Sequence, residues 1–202
     1  AENRSRVEPR LQAAGIGYAW TQVTGYFSPS VRDAAELADL IILNRDLSSG
    51  QPDMREIVGE VLLGAGRPII AVPEHVREFD AHGDALIAWD GSRQADAALR
   101  ASVPLLKHAH SATLIEVEDG SIKVPANAAA DYLAQYGITA AVRRESTLFD
   151  IPSTVILDAI DTLGPAYLVM GGYGHSRFVE AALGGVTKRM LAESPVSLFL
   201  VH

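Results

Sequence analysis

Cysteine is absent from this chain. That removes disulfides, thiolate metal sites and cysteine nucleophiles together, and suits a reducing compartment such as the cytoplasm. Long apolar runs are absent too. The longest, at 166–170 and 196–201, are strand-sized and fall well short of the roughly 20 residues a membrane helix needs. Basic residues are in deficit: 17 Lys and Arg stand against 25 Asp and Glu, for a net charge of −8. A general nucleic-acid binder carries a broad basic face, so that class is set aside. The opening stretch AENRSRVEPR also lacks the basic–apolar–small pattern of a secretory leader. The expectation is a globular cytoplasmic protein with neither a membrane nor a nucleic acid as its partner.

Hydrophobic residues make up 48% of the 202 positions, enough for a conventional core at this length. Against a typical domain of about 150 residues, the length amounts to one domain and a fraction. Short apolar runs bounded by Gly, Pro and polar residues mark strands at 17–23, 40–43, 69–72, 85–89, 113–117, 138–143, 167–170 and 197–201. Helical patterns separate them at 31–38, 55–63, 93–107, 127–135, 153–163 and 186–192. Strict alternation of helix with strands that are apolar on both faces predicts α/β architecture, with a parallel sheet covered on both sides.

The fraction has an explanation in the order of elements. Gly15-Ile16 matches Gly137-Ile138 at an offset of 122, and Pro68 matches Pro195 at 127, which reads as a tandem repeat. Leu86 precedes Ile138 by 52 residues, whereas only 15 precede Ile16. On this reading the first copy is short of about 40 residues of strand–helix–strand. The expected domains are a partial one at 1–74, a linker at 75–83 and a whole one at 84–202.

The densest signal follows the strand at 167–170. Met170 is succeeded by Gly171, Gly172 and Gly174, and ten residues later by Gly184 and Gly185, where a helix begins. Glycines let backbone N–H groups approach a ligand, and successive N–H groups at a turn or helix start form an anion-binding concavity. Between Met170 and Met190, Arg177, Lys188 and Arg189 oppose Glu180 alone, a local reversal of sign that suits phosphate. The spacing G-x2-G-x9-G at Gly171, Gly174 and Gly184 is neither a Walker loop nor the dinucleotide fingerprint. The plainer alternative is a glycine-rich surface loop.

Asp90 stands at the carboxyl end of the strand at 85–89, just ahead of a helix. In an open parallel sheet, ligands sit outside the carboxyl ends of strands where the strand order reverses. Asp90 there is placed to accept from a base or ribose; the other reading is that Asp90 or Ser92 caps the helix.

Taken together, ALIAWDGS at 85–92, MGGYGHSRFVEAALGGVT at 170–187 and SPVSLFLV at 194–201 resemble the universal stress protein family. The resemblance covers 84–202 as a whole domain and 1–73 as the later part of a second. It implies an open five-stranded parallel sheet of order 3-2-1-4-5, repeated in tandem, and a bound ATP, with or without Mg2+. By the same resemblance Asp90 lies near the adenosine and the main chain about Glu116-Val117 lies against adenine. Met170, Gly171 and Gly174 line ribose and phosphates, and Gly184, Gly185, Val186 and Thr187 surround the triphosphate. His175 and Arg177, inside the loop, are candidate phosphate contacts, with an exposed turn as the other reading of His175. One departure stands out: the family pattern continues the third glycine with Ser or Thr, and here Gly185 takes that place.

The first copy has no such loop. After its strand at 40–43 comes Asn44-Arg45-Asp46-Leu47-Ser48-Ser49-Gly50-Gln51-Pro52, so ATP binding by this mode is not expected there. That copy would act as a pseudo-dimeric partner within the chain, touching the second through the last strands at 69–72 and 198–201; homodimerisation is a further possibility. No Ser–His–Asp order with an elbow, no H-E-x-x-H and no paired carboxylates appear, and the histidines form no metal pattern beyond His108-x-His110. Three functions remain: a nucleotide-dependent stress or signalling module, a slow ATPase using the same pocket, and a scaffold with no nucleotide.

Overall fold

The computed structural model describes residues 2–46, 52–118, 120, 122–146, 151–174 and 185–202. In chain order the elements are α1 (Glu2–Ala13), α2 (Phe27–Ala34), β1 (Ile41–Asn44), α3 (Met54–Ala65), β2 (Ile69–Val72), β3 (Ala85–Trp89) and α4 (Arg93–Leu106). They continue with β4 (Ala112–Glu118), α5 (Ala126–Ala134), β5 (Ala140–Ser146), α6 (Pro152–Leu163), β6 (Tyr167–Gly171), α7 (Val186–Glu193) and β7 (Ser197–Val201). Local chemistry explains where several helices start. Asp53 accepts from Arg55 N ahead of α3 and Ser92 Oγ accepts from Ala95 N ahead of α4, each satisfying an orphan first-turn donor. Pro152 opens α6, where a missing N–H costs nothing.

The strands form one seven-stranded sheet in the order β1-β2-β7-β6-β3-β4-β5. From β3 onward the five strands are mutually parallel, with β3 in the middle between β6 and β4. β2 runs antiparallel to β7, with Ile70 opposite Phe199. Thus the two predicted edges, 69–72 and 198–201, pair with each other and extend the sheet beyond five strands. Along β6, Leu168 and Met170 face one side while Tyr167 and Val169 face the other, and all four are buried. This is why the strand reads as a continuous apolar run. One face is covered by α3, α6 and α7 and the other by α4 and α5.

The predicted strand at 17–23 is not one. Those residues are irregular, with Tyr18, Trp20 and Val23 exposed. Its residue types suit a strand, but among the described residues no strand lies beside it to pair its N–H and C=O groups, and a ladder requires both sides. The predicted helix at 31–38 begins earlier, at Phe27, and rests on α3. Among the described residues, no helix is long and apolar enough to cross a membrane.

Candidate functional site

The turn after β3 is built by close approach. Gly91 has φ +70, and a Cβ there would lie 2.4 Å from Val124 N, so only glycine fits. Trp89 Nε1 donates to Val124 O at 2.8 Å and Lys123 N donates to Asp90 O at 3.4 Å, so the segment ahead of α5 lies across the turn. Both readings of this turn have a place in it. Ser92 caps α4, while Asp90 Oδ1 accepts from Ser92 N at 2.9 Å and orients the cap. Asp90 is half-buried at the carboxyl end of the central strand.

β6 adjoins β3, so its glycine turn leaves the same end of the sheet. A Cβ on Gly171 would lie 2.6 Å from Gln94 C and 2.7 Å from Ala95 N, inside the backbone of the first turn of α4. Gly174 lies against the Gln94 side chain, where a Cβ would be 3.2 Å from Oε1. The two sequence motifs therefore meet at α4.

The main-chain amides of the glycine turn are less bare than the sequence suggests. Gly172 N donates to Val201 O at 2.8 Å, and Tyr173 N donates to Thr187 Oγ1 at 3.0 Å. His202 Nδ1 donates to Gly172 O at 3.0 Å. Thr187 is 2% exposed, so its hydroxyl ties the turn to α7. The side chains of Met170 and Val117 are buried in the core, which leaves only their main chain to face a ligand. Val186 is half-buried against that core. α7 starts at Gly185 with no side-chain cap among the described residues, and a helix's first N–H groups have no partner within it. Lys188 in that first turn is exposed. Arg189 is instead engaged with Glu193 and with Thr154 of α6. His175, Arg177 and Gly184 lie outside the described residues.

The first part of the chain has an equivalent step. Arg45 N donates to Val72 O at 2.9 Å, as Gly172 N does to Val201 O. Where the second part has glycine, the first has a buried arginine whose Nη1 donates to Met190 O at 2.8 Å and whose Nη2 donates to Ser194 O. Burial lowers its guanidinium to about 10, against the pull of Asp46. A cavity of about 730 Å³ opens near Arg6, Arg10, Asn44, Asp46, Glu74 and Arg77. It lies beyond the carboxyl ends of β1 and β2, at the sheet end opposite Asp90, and its charges are mixed. Among the described residues no group of three His, Asp or Glu is placed to hold a metal ion.

Sequence reasoning missed four contributors: Tyr173, Gln94, Gly59 and the carboxylate of Glu116, of which only the main chain was expected near the site. Glu116 is buried on β4 and accepts from Ala126 N at 2.5 Å and Arg144 Nε at 2.9 Å. It thereby supplies α5 with the cap that Pro125 cannot give. Of the four, only Gly59 left a local signal, as an isolated glycine inside a helical pattern.

No family model and no curated protein matches the sequence. Solved structures do match. A universal stress protein from Archaeoglobus fulgidus DSM 4304 is 23% identical at a TM-score of 0.72, covering 99% of this chain and 78% of that one. A functionally unknown protein from Pseudomonas aeruginosa PAO1 is 14% identical at 0.66, covering 99% and 76%.

Proposed function

From the universal stress protein fold of this chain, we propose an adenine-nucleotide-binding protein of that family with one site, built from 84–202. Residues 1–74 form the companion unit and 75–83 the linker. The observation that carries the reading is the meeting of the Asp90 turn and the Gly171–Gly174 turn on α4, with α7 uncapped beside them. Asp90 receives the adenosine, together with the main chain at Val117. The ends of β6 and α7, through Met170, Gly171, Gly174, Gly185, Val186 and Thr187, receive ribose and phosphates, with His175, Arg177 and Gly184 from the sequence between them. Mg2+, where present, arrives on the triphosphate. An uncapped helix start favours an anion through its free N–H groups and its dipole.

Arg45 fills the equivalent step of the first unit, which supports a single site per chain. The antiparallel pairing of β2 with β7 supports a pseudo-dimer within the chain. The nucleotide acts by binding one conformation better than another and so changing partner choice; slow hydrolysis in the same pocket is the variant of this reading. A nucleotide-free scaffold is the second reading, favoured by the internal bonds already made by the Gly172 and Tyr173 amides. Calorimetric titration with ATP decides between them. One site per chain, weakened by Asp90→Ala, is expected; two equivalent sites or none overturns the proposal.

A further inference from the structure

Two locally unfavourable features converge on one contact between the two parts of the chain. Gly59 lies in the middle of α3 and is buried, at a position where alanine would favour the helix. Tyr173 is the non-glycine residue with positive φ among the described residues, at +54, a conformation that persists only when its surroundings enforce it. A Cβ on Gly59 would lie 2.5 Å from Tyr173 Oη and 3.3 Å from Cζ. The missing side chain of α3 is therefore the seat of the phenol. One turn further along α3, Leu62 presses on the same loop: a Cβ on Gly172 would lie 2.5 Å from Leu62 Cδ2. Tyr173 N in turn donates to Thr187 Oγ1 at 3.0 Å, in the first turn of α7. The far end of α7 is gripped by Arg45 through Met190 O and Ser194 O.

The geometry points to Tyr173 as a positioning residue: seated in the notch at Gly59, it lets α3 and Arg45 of the first part set the spacing between the Gly171–Gly174 turn and the start of α7. Resting on the nucleotide reading above, this makes ATP affinity in the second part depend on a residue of the first that touches no nucleotide. Strain concentrated at a ligand-facing turn is the expected mark of such pre-organisation.

Gly59→Ala is the test, because it puts a methyl group into the seat while improving the helix. The expected result is ATP affinity weakened about tenfold without a fall in melting temperature, together with faster amide exchange at Tyr173. In a Tyr173→Ala background the same substitution changes nothing further, since the coupled partner is gone. ATP affinity within about twofold of the unaltered chain, or an equal loss in both backgrounds, overturns the inference. If the unaltered chain binds no ATP, the nucleotide reading fails by itself. Exchange at Tyr173 N in the ATP-free protein still decides the seat, and equal protection with and without Gly59→Ala refutes it.

Discussion

Replacing Arg45 by alanine should cost more stability than any other single side-chain truncation at the junction of α7 and the first part of the chain. The guanidinium is 3% exposed, and among the described residues its Nε has no hydrogen-bond partner, only Asp46 Oδ2 at 3.8 Å. Burial first, and Arg55 to a lesser degree, lower its pKa to about 10 despite Asp46. That is a bias of roughly 3 kcal/mol against the charged form, which truncation would relieve. Against this relief, truncation strips Ser194 O of its donor, at about 1–3 kcal/mol, and takes one of two donors from Met190 O, which keeps Ser194 N at 3.0 Å, at about 1 kcal/mol. It also empties the space of a three-methylene stem, worth about 2 kcal/mol or more. The balance is a loss of about 2 kcal/mol. Arg45→Met fills the stem's space and should lose about 1–2 kcal/mol less than alanine. Urea unfolding at pH 7, followed by circular dichroism, measures both. Arg45→Ala within about 1 kcal/mol of the unaltered chain, or Arg45→Met below Arg45→Ala, would refute the reasoning.

Two further outcomes follow from buried polar groups. Glu116→Gln keeps the shape but not the charge that serves both Ala126 N and Arg144 Nε; urea unfolding should show about 1–2 kcal/mol lost, and a neutral result would remove Glu116 as the cap of α5. Tyr167 Oη is buried without a hydrogen-bond partner among the described residues, and burial raises its phenol to about 12. A raised folded pKa means its contribution is whole below pH 10 and is lost as pH climbs towards 12, by about 3 kcal/mol. Tyr167→Phe should match or exceed the unaltered chain at pH 7 and shorten that alkaline decline. Superimposable melting curves of the two proteins from pH 9 to 12 would contradict this.

Legibility in the sequence followed the range of the forces involved. Tyr167–Met170 announced a strand because both faces of β6 are covered, and Ser92 announced a helix start because capping is local. The carboxyl-end glycines and Asp90 were visible for the same reason, since turn chemistry is written in adjacent residues. The stretch 17–23 looked like a strand on residue type and is irregular, because pairing depends on a neighbour that residue type does not report. Glu116 was invisible as a cap because it reaches Ala126 from another element.

From the amino-acid order alone came the alternation of helix and strand and the two turns that meet on α4. Each rests on interactions within a few residues, or on a hydrophobic period that a single segment displays. The antiparallel register of β2 on β7, the seat of Tyr173 at Gly59 and the burial of Arg45 beneath α7 were decided only by the folded chain. Those contacts link residues more than a hundred positions apart, and their energies depend on shape and burial that exist only once the layers have packed.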